Sequence, residues 1–217
     1  MALIGLIGTA GAGLAVMMAG FWLIHLRLRN AAIVDVGWAL GLPILACWYA
    51  ARLQPGPRGW LLAALVTAWG ARLAGYLLAT RVVGHDEDGR YVELRRGWGD
   101  RASRYFFVFF QAQAALTAIL ASAFVGPFVR APSWAVPLYA GLALSAIGVL
   151  GETVADTQLA RFKRTHKGQV CDVGLWSWSR HPNYFFEWCV WIGYAVYGLA
   201  FGPWGLIAIV PQAIILG

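Results

Sequence analysis

Charge is scarce in this chain: Asp, Glu, Lys and Arg make up 12% of its 217 residues, where an ordinary soluble domain carries about a quarter. With 60% of the residues hydrophobic and a mean hydropathy of +0.63, that scarcity excludes a water-soluble domain of ordinary make-up. Cysteine is scarce too. Cys47, Cys171 and Cys189 form an odd set without a CxxC pair, which argues against a disulfide framework and offers no zinc pattern, so no metal is expected. Neither GxGxxG nor GxxxxGK[ST] stands in a strand-to-helix context, so any nucleotide is bound without a Rossmann or P-loop unit. No basic region precedes the first apolar run, Leu3 to Leu26, and that run is too long for a signal core, so a retained span is expected there.

What the chain has instead is a succession of apolar runs of about membrane-spanning length. They are Leu3 to Leu26, Ala31 to Ala51, Trp60 to Thr80, Tyr105 to Val129, Trp134 to Ala155 and Tyr184 to Phe201, followed by a shorter run from Trp204 to Gly217. The expected fold is all-α, a polytopic membrane helix bundle of six full spans and a truncated seventh, forming a single transmembrane domain over residues 1–217. Tryptophans such as Trp60, Trp134, Trp176, Trp178 and Trp204 stand at the ends of these runs, where an indole bridges lipid and headgroup.

The net charge of +7 invites a nucleic-acid reading, but its distribution fits membrane orientation better. Arg27, Arg29, the arginines between Arg81 and Arg104, the cations from Arg161 to Lys167, and Arg180 fall on one side, against Arg52, Arg58 and Arg130 on the other. The basic side is expected to be cytoplasmic, with the N-terminus outside. No nucleic-acid partner is expected. The two long connections, Arg81 to Arg104 and Asp156 to Asn183, then face the cytosol and can meet a soluble anion.

Ionisable residues inside apolar spans are expensive unless they meet a partner or a ligand. Asp35, Arg72, Glu152 and Glu187 are such residues, each toward the basic end of its run, so they could converge on one cytosol-facing cavity. An Asp35 to Arg72 ion pair is the structural alternative for two of them. In WSRHPNYFFEW, Trp178 to Trp188, Arg180, Asn183 and Glu187 recur at helical spacing behind Pro182, and His181 sits beside them. The alternative there is an interfacial cap. Glu152 and Asp156 stand one turn apart, with Arg161, Lys163 and Arg164 following, which would suit a phosphate-bearing ligand.

The joint pattern of AAIVDVGW, WGARL, EDGRY, ETVADTQLARFK, GLWSWSRHPNYFFEW and WIGY resembles the bacterial membrane proteins related to steroid 5α-reductases. Its last motifs are shared in looser form with isoprenylcysteine carboxyl methyltransferases. The resemblance implies NADPH in a cytosol-facing cavity and reduction of a carbon–carbon double bond conjugated to a ketone in a lipid-soluble substrate. It implies cofactor contacts from Asp156 and Asn183, phosphate or pocket contacts from Arg72 and Arg81, and a nicotinamide-side role for Glu187. Glu152, Arg161, Lys163, Arg180 and His181 are grouped with the cofactor contacts, and Asp35, Glu187 and Trp69 are the catalytic candidates, Asp35 facing the substrate as a donor to its ketone unless it pairs with Arg72. Trp69 stands near where the reductases carry a ketone-polarising tyrosine; it can donate a hydrogen bond but not a proton. The other readings are a methyltransferase using S-adenosylmethionine and a non-enzymatic lipid-binding or transport protein of the membrane. The expected location is the bacterial inner membrane, in contact with its lipids.

Overall fold

The computed structural model describes residues 3–129, 131–166, 168–209 and 211. Arg130 and Lys167 of the charge pattern lie outside the described residues, as do 210 and 212–217 of the last expected run. The described part is helical and without strands. Its α-helices are α1 (Leu3–Leu28), α2 (Ile33–Leu53), α3 (Gly56–Leu77), α4 (Gly89–Trp98), α5 (Ala102–Leu120), α6 (Val125–Val129), α7 (Ala135–Thr165) and α8 (Pro182–Leu199). A π-helical turn, Leu78–Val82, extends α3, and Gly202–Ile209 is a 3-10 stretch where the last run begins.

Five helical stretches among the described residues are long and apolar enough to cross a membrane: Gly5–Leu28, Ile33–Leu53, Gly56–Val82, Gly89–Val129 and Ala135–Thr165. The chain is thus an all-helical integral membrane protein. Helix α8, where a sixth span is expected, has 18 residues and carries Asn183 and Glu187 in its first two turns, and it is not one of the five. The connection expected between Arg81 and Arg104 is largely helical. Asp88 caps α4 by accepting from the Arg90 N–H at 3.1 Å, which satisfies one of the donors left open at a helix start.

The chain forms two compact units, Met1–Gln54 with Val66–Ala121, and Pro55–Leu65 with Ser122–Gly217. In the first, α1, α2 and α5 pack together around Met18, Leu42, Leu45, Phe106 and Phe110, all buried. Pro43 interrupts the hydrogen-bond ladder inside α2. Gly70 of α3 lies against that point, where an added Cβ would meet the Pro43 ring and stand 2.6 Å from the Ala39 carbonyl oxygen.

In the second unit α7 and α8 pack along a seam of small residues. Gly141, Ser145 and Gly148 are buried on α7, with a spacing that keeps one helical face. Gly141 faces the Gly193 carbonyl and Tyr197 backbone, and a Cβ on Gly148 would stand 2.7 Å from Val190 N. The Ser145 hydroxyl donates to the Val190 carbonyl at 3.2 Å. Close backbone approach of this kind replaces the hydrophobic effect as the source of helix association in lipid.

Gly148→Ala is therefore expected to destabilise the detergent-solubilised protein by about 1–3 kcal/mol, the usual cost of overpacking. Gly20→Ala, whose new Cβ meets nothing within 4 Å, is expected to be neutral or stabilising, because alanine is the better helix former. Paired melting curves read the difference.

Candidate functional site

The most completely defined polar cluster lies in the first unit, at the start of α2. Asp35 stands in the first turn of α2, with 26% of its side chain exposed. The Tyr91 hydroxyl of α4 donates to its Oδ1 at 2.8 Å. Its Oδ2 faces Arg81 Nη1 at 3.5 Å and Arg90 Nη2 at 3.6 Å. The ion-pair alternative is thereby corrected: the cationic partners of Asp35 are Arg81 and Arg90, and Arg72 is not among them. Arg81 reaches Asp35 from the π turn, whose wider ladder closes through Val83 N to the Leu78 carbonyl at 2.9 Å; π turns are rare and gather at functional sites.

A second layer holds this arrangement. Arg29 ends α1 in the left-handed region, φ 51°, an uncommon conformation for a residue with a Cβ. Asn30 follows, buried. Its Oδ1 accepts from Ala32 N at 3.0 Å, and its amide donates to the carbonyls of Arg81 at 2.9 Å and His85 at 3.3 Å. Glu87, with 9% of its side chain exposed, accepts from Ala31 N at 2.7 Å and from both Nε and Nη2 of Arg95 at 2.8 and 2.7 Å. That two-pronged pairing is the strong form of a guanidinium–carboxylate bond. Arg95 also lies over the Phe106 ring at 4.8 Å and meets His25 Nε2 at 3.3 Å.

Trp69, expected near the substrate, is wholly buried on α3 and meets the Trp38 ring edge-on, centroids 6.1 Å apart. Trp38 follows Asp35 by one turn of α2, and its indole N–H is buried without an acceptor. Arg72 follows Trp69 by one turn, partly buried. Tyr91 is the phenol that the structure sets on Asp35. Sequence reading found EDGRY but not this contact; the signal was Asp88 as a helix cap, with Tyr91, Leu94, Arg95 and Trp98 at helical spacing behind it.

In the second unit, Glu152 and Asp156 are buried at 2% and 3% exposure, one turn apart on α7. Arg161 and Lys163 are exposed on the last turns of that helix. Trp176 Nε1 donates to the Ala155 carbonyl at 2.9 Å, and the Gln158 carbonyl oxygen accepts from Leu175 N at 2.9 Å, so the connection folds back on α7. Arg180 and His181 are exposed, and the His181 ring stacks on Tyr184 with centroids 5.2 Å apart. Pro182 opens α8, where a missing N–H costs nothing. Asn183 follows, and its Oδ1 is buried with no donor. Glu187 lies one turn further, half-buried. Among the described residues no three His, Cys, Asp or Glu side chains are grouped to hold a metal ion.

Helices long enough to span a bilayer, with charged clusters at their ends, define a polytopic membrane protein with polar sites at the membrane edge. The chain belongs to the family described as Protein of unknown function (DUF1295), whose model matches residues 21–217. No curated protein and no solved structure matches it.

The Glu87 clamp yields a pH prediction. Burial alone would raise its pKa, but the bonds from Arg95 and the Ala31 N–H outweigh that and hold it below the ordinary 4.5. A carboxyl lowered on folding contributes stability above its unfolded pKa and loses it as pH falls through the folded one. Glu87→Gln is therefore expected to melt below wild type at pH 7, with the gap closing as pH drops below 4.5. A gap that does not change with pH contradicts the clamp.

Proposed function

We propose that this chain is an NADPH-dependent reductase of a carbon–carbon double bond conjugated to a ketone in a lipid-soluble substrate, such as a steroid or another isoprenoid enone. The observation that carries the reading is the Tyr91–Asp35 pair at 2.8 Å, flanked by Arg81 and Arg90. The family is associated with steroid 5α-reductase-like proteins, which supports it. Asp35 orients the Tyr91 hydroxyl by accepting its single proton at rest, and that proton turns to the substrate's carbonyl oxygen when the ketone is bound, while Arg81 and Arg90 stay on the carboxylate. As the enolate forms, the substrate's carbonyl oxygen takes up negative charge, and a hydrogen-bond donor placed there lowers the barrier. A methyl transfer would have no use for a phenol at a ketone.

The second unit has groups that suit the cofactor. Asn183 Oδ1 is a buried acceptor with no donor, a state that costs about 1–3 kcal/mol unless a ligand N–H or O–H meets it. Asp156 is a second buried acceptor group. Arg161, Lys163 and Arg180 are exposed cations suited to phosphates, including the extra phosphate that separates NADPH from NADH. Glu152, Glu187 and His181 complete the set. When bound, NADPH supplies the hydride; the protein supplies the proton, the orientation and an apolar surround. In this reading α8 is a sixth span, the basic helix ends face the cytosol, the N-terminus lies outside, and the membrane is the bacterial inner membrane.

Melting of the purified protein with NADPH, NADH and S-adenosylmethionine in parallel tests the assignment, since a ligand that binds only the folded state raises the melting temperature. NADPH is expected to give the largest rise, and Asn183→Ala to weaken NADPH binding about 5- to 150-fold. A rise with S-adenosylmethionine alone overturns the reductase reading in favour of a methyltransferase.

A further inference from the structure

At the opposite end of the first unit from Asp35, a crevice of about 310 Å³ opens between α1 and α2, lined by Thr9, Gly13, Met17, Ile44, Leu45 and Trp48 among others. It is almost wholly apolar. Gly13 leaves it open, since a Cβ there would meet nothing within 4 Å. Two features set it apart from an ordinary lipid-facing groove. The Trp48 indole N–H is buried with no acceptor, although a buried donor almost always has one. Arg52, one turn further along α2 and exposed, lies over the Trp48 ring at 4.4 Å and has no carboxylate partner among the described residues.

We infer that this crevice binds one anionic phospholipid, with an acyl chain against Gly13, Met17 and Leu45, an ester carbonyl accepting from Trp48 Nε1, and the phosphate on Arg52. A zwitterionic lipid could fill the same apolar volume, but its headgroup carries no net charge to complement an uncompensated guanidinium. An exposed arginine stacked on a ring gains about 0.5–1 kcal/mol, less than a charge-assisted bond to phosphate gains, so the guanidinium leaves the indole for the headgroup and uncovers the ring. Thr9 donates to the Gly5 and Leu6 carbonyls at 3.0 Å each, which leaves its hydroxyl only as an acceptor and Trp48 as the donor of the crevice. This site is independent of the reductase reading.

The test uses the full chain in detergent, titrated with phosphatidylglycerol or phosphatidylcholine of the same acyl chains, with retained lipid read by native mass spectrometry. Wild type is expected to retain phosphatidylglycerol preferentially. Arg52→Gln should cut that preference about tenfold, the scale of a charge-assisted bond. Trp48→Phe keeps the ring, removes the donor, and should weaken retention about fivefold. Gly13→Leu should fill the crevice and abolish retention of both lipids without unfolding the protein, because its side chain enters open space. Equal retention of the two lipids by wild type, unchanged retention in Arg52→Gln and Gly13→Leu, or a dimer that forms without lipid preference would each overturn the inference.

Discussion

A carboxylate placed in the first turn of an apolar helix must be met by partners, because the bilayer offers it none. Asp35 is that carboxylate, and much of the first unit is arranged to meet it. The π turn after α3 brings Arg81 within 3.5 Å. The Asp88 cap starts α4 where Tyr91 can reach Oδ1. Asn30 ties the turn between α1 and α2 to the carbonyls of Arg81 and His85, and the Glu87–Arg95 fork fixes that same turn through Ala31. Two stretches of chain, the π turn and the start of α4, thus converge on one acidic side chain, and removing either leaves it partly uncompensated.

The second unit rests on a different constraint. Its two long helices approach until glycine backbones touch, so Gly141, Gly148 and Gly193 leave no room for side chains at the seam. That closeness sets the register of α8 on α7. Pro182 fixes where α8 begins, and Asn183 is thereby placed one residue inside the helix with its carbonyl oxygen buried. A rigid frame of this kind holds that single unsatisfied acceptor at a defined position.

Much of this was legible in the sequence, and for physical reasons. Apolar runs of spanning length are the strongest pattern a chain can carry, and α1 contains the run that predicted it, α2 and α3 overlap theirs to within about four residues, and α7 continues past Ala155 to Thr165, along the helix its ETVADTQLARFKRT pattern implied. Proline at the start of α8 was equally readable. The partners of Asp35 were not. Depth along straight helices suggested Arg72, but a π turn shifts the register of everything after it, and no sequence rule places one at Leu78–Val82. Tyr91 was hidden by a stretch whose many arginines read as a basic loop, although its cap and periodicity encoded a helix. Trp69 stands where a tyrosine was expected, and it lies buried against Trp38, while the phenol on Asp35 is that of Tyr91.

Turnover of a lipid-soluble enone by Asp35→Asn, Tyr91→Phe and the double variant, followed as NADPH consumption, tests the central claim most directly. Asparagine keeps the size of Asp35 and phenylalanine the ring of Tyr91, so the fold should survive; melting curves check it. If the two side chains act as one proton-donating unit, each single variant loses about 100-fold or more in rate, and the double variant is no worse than the poorer single one, because groups that act together are not additive. Wild-type turnover in either single variant, or losses that multiply in the double, would contradict the account.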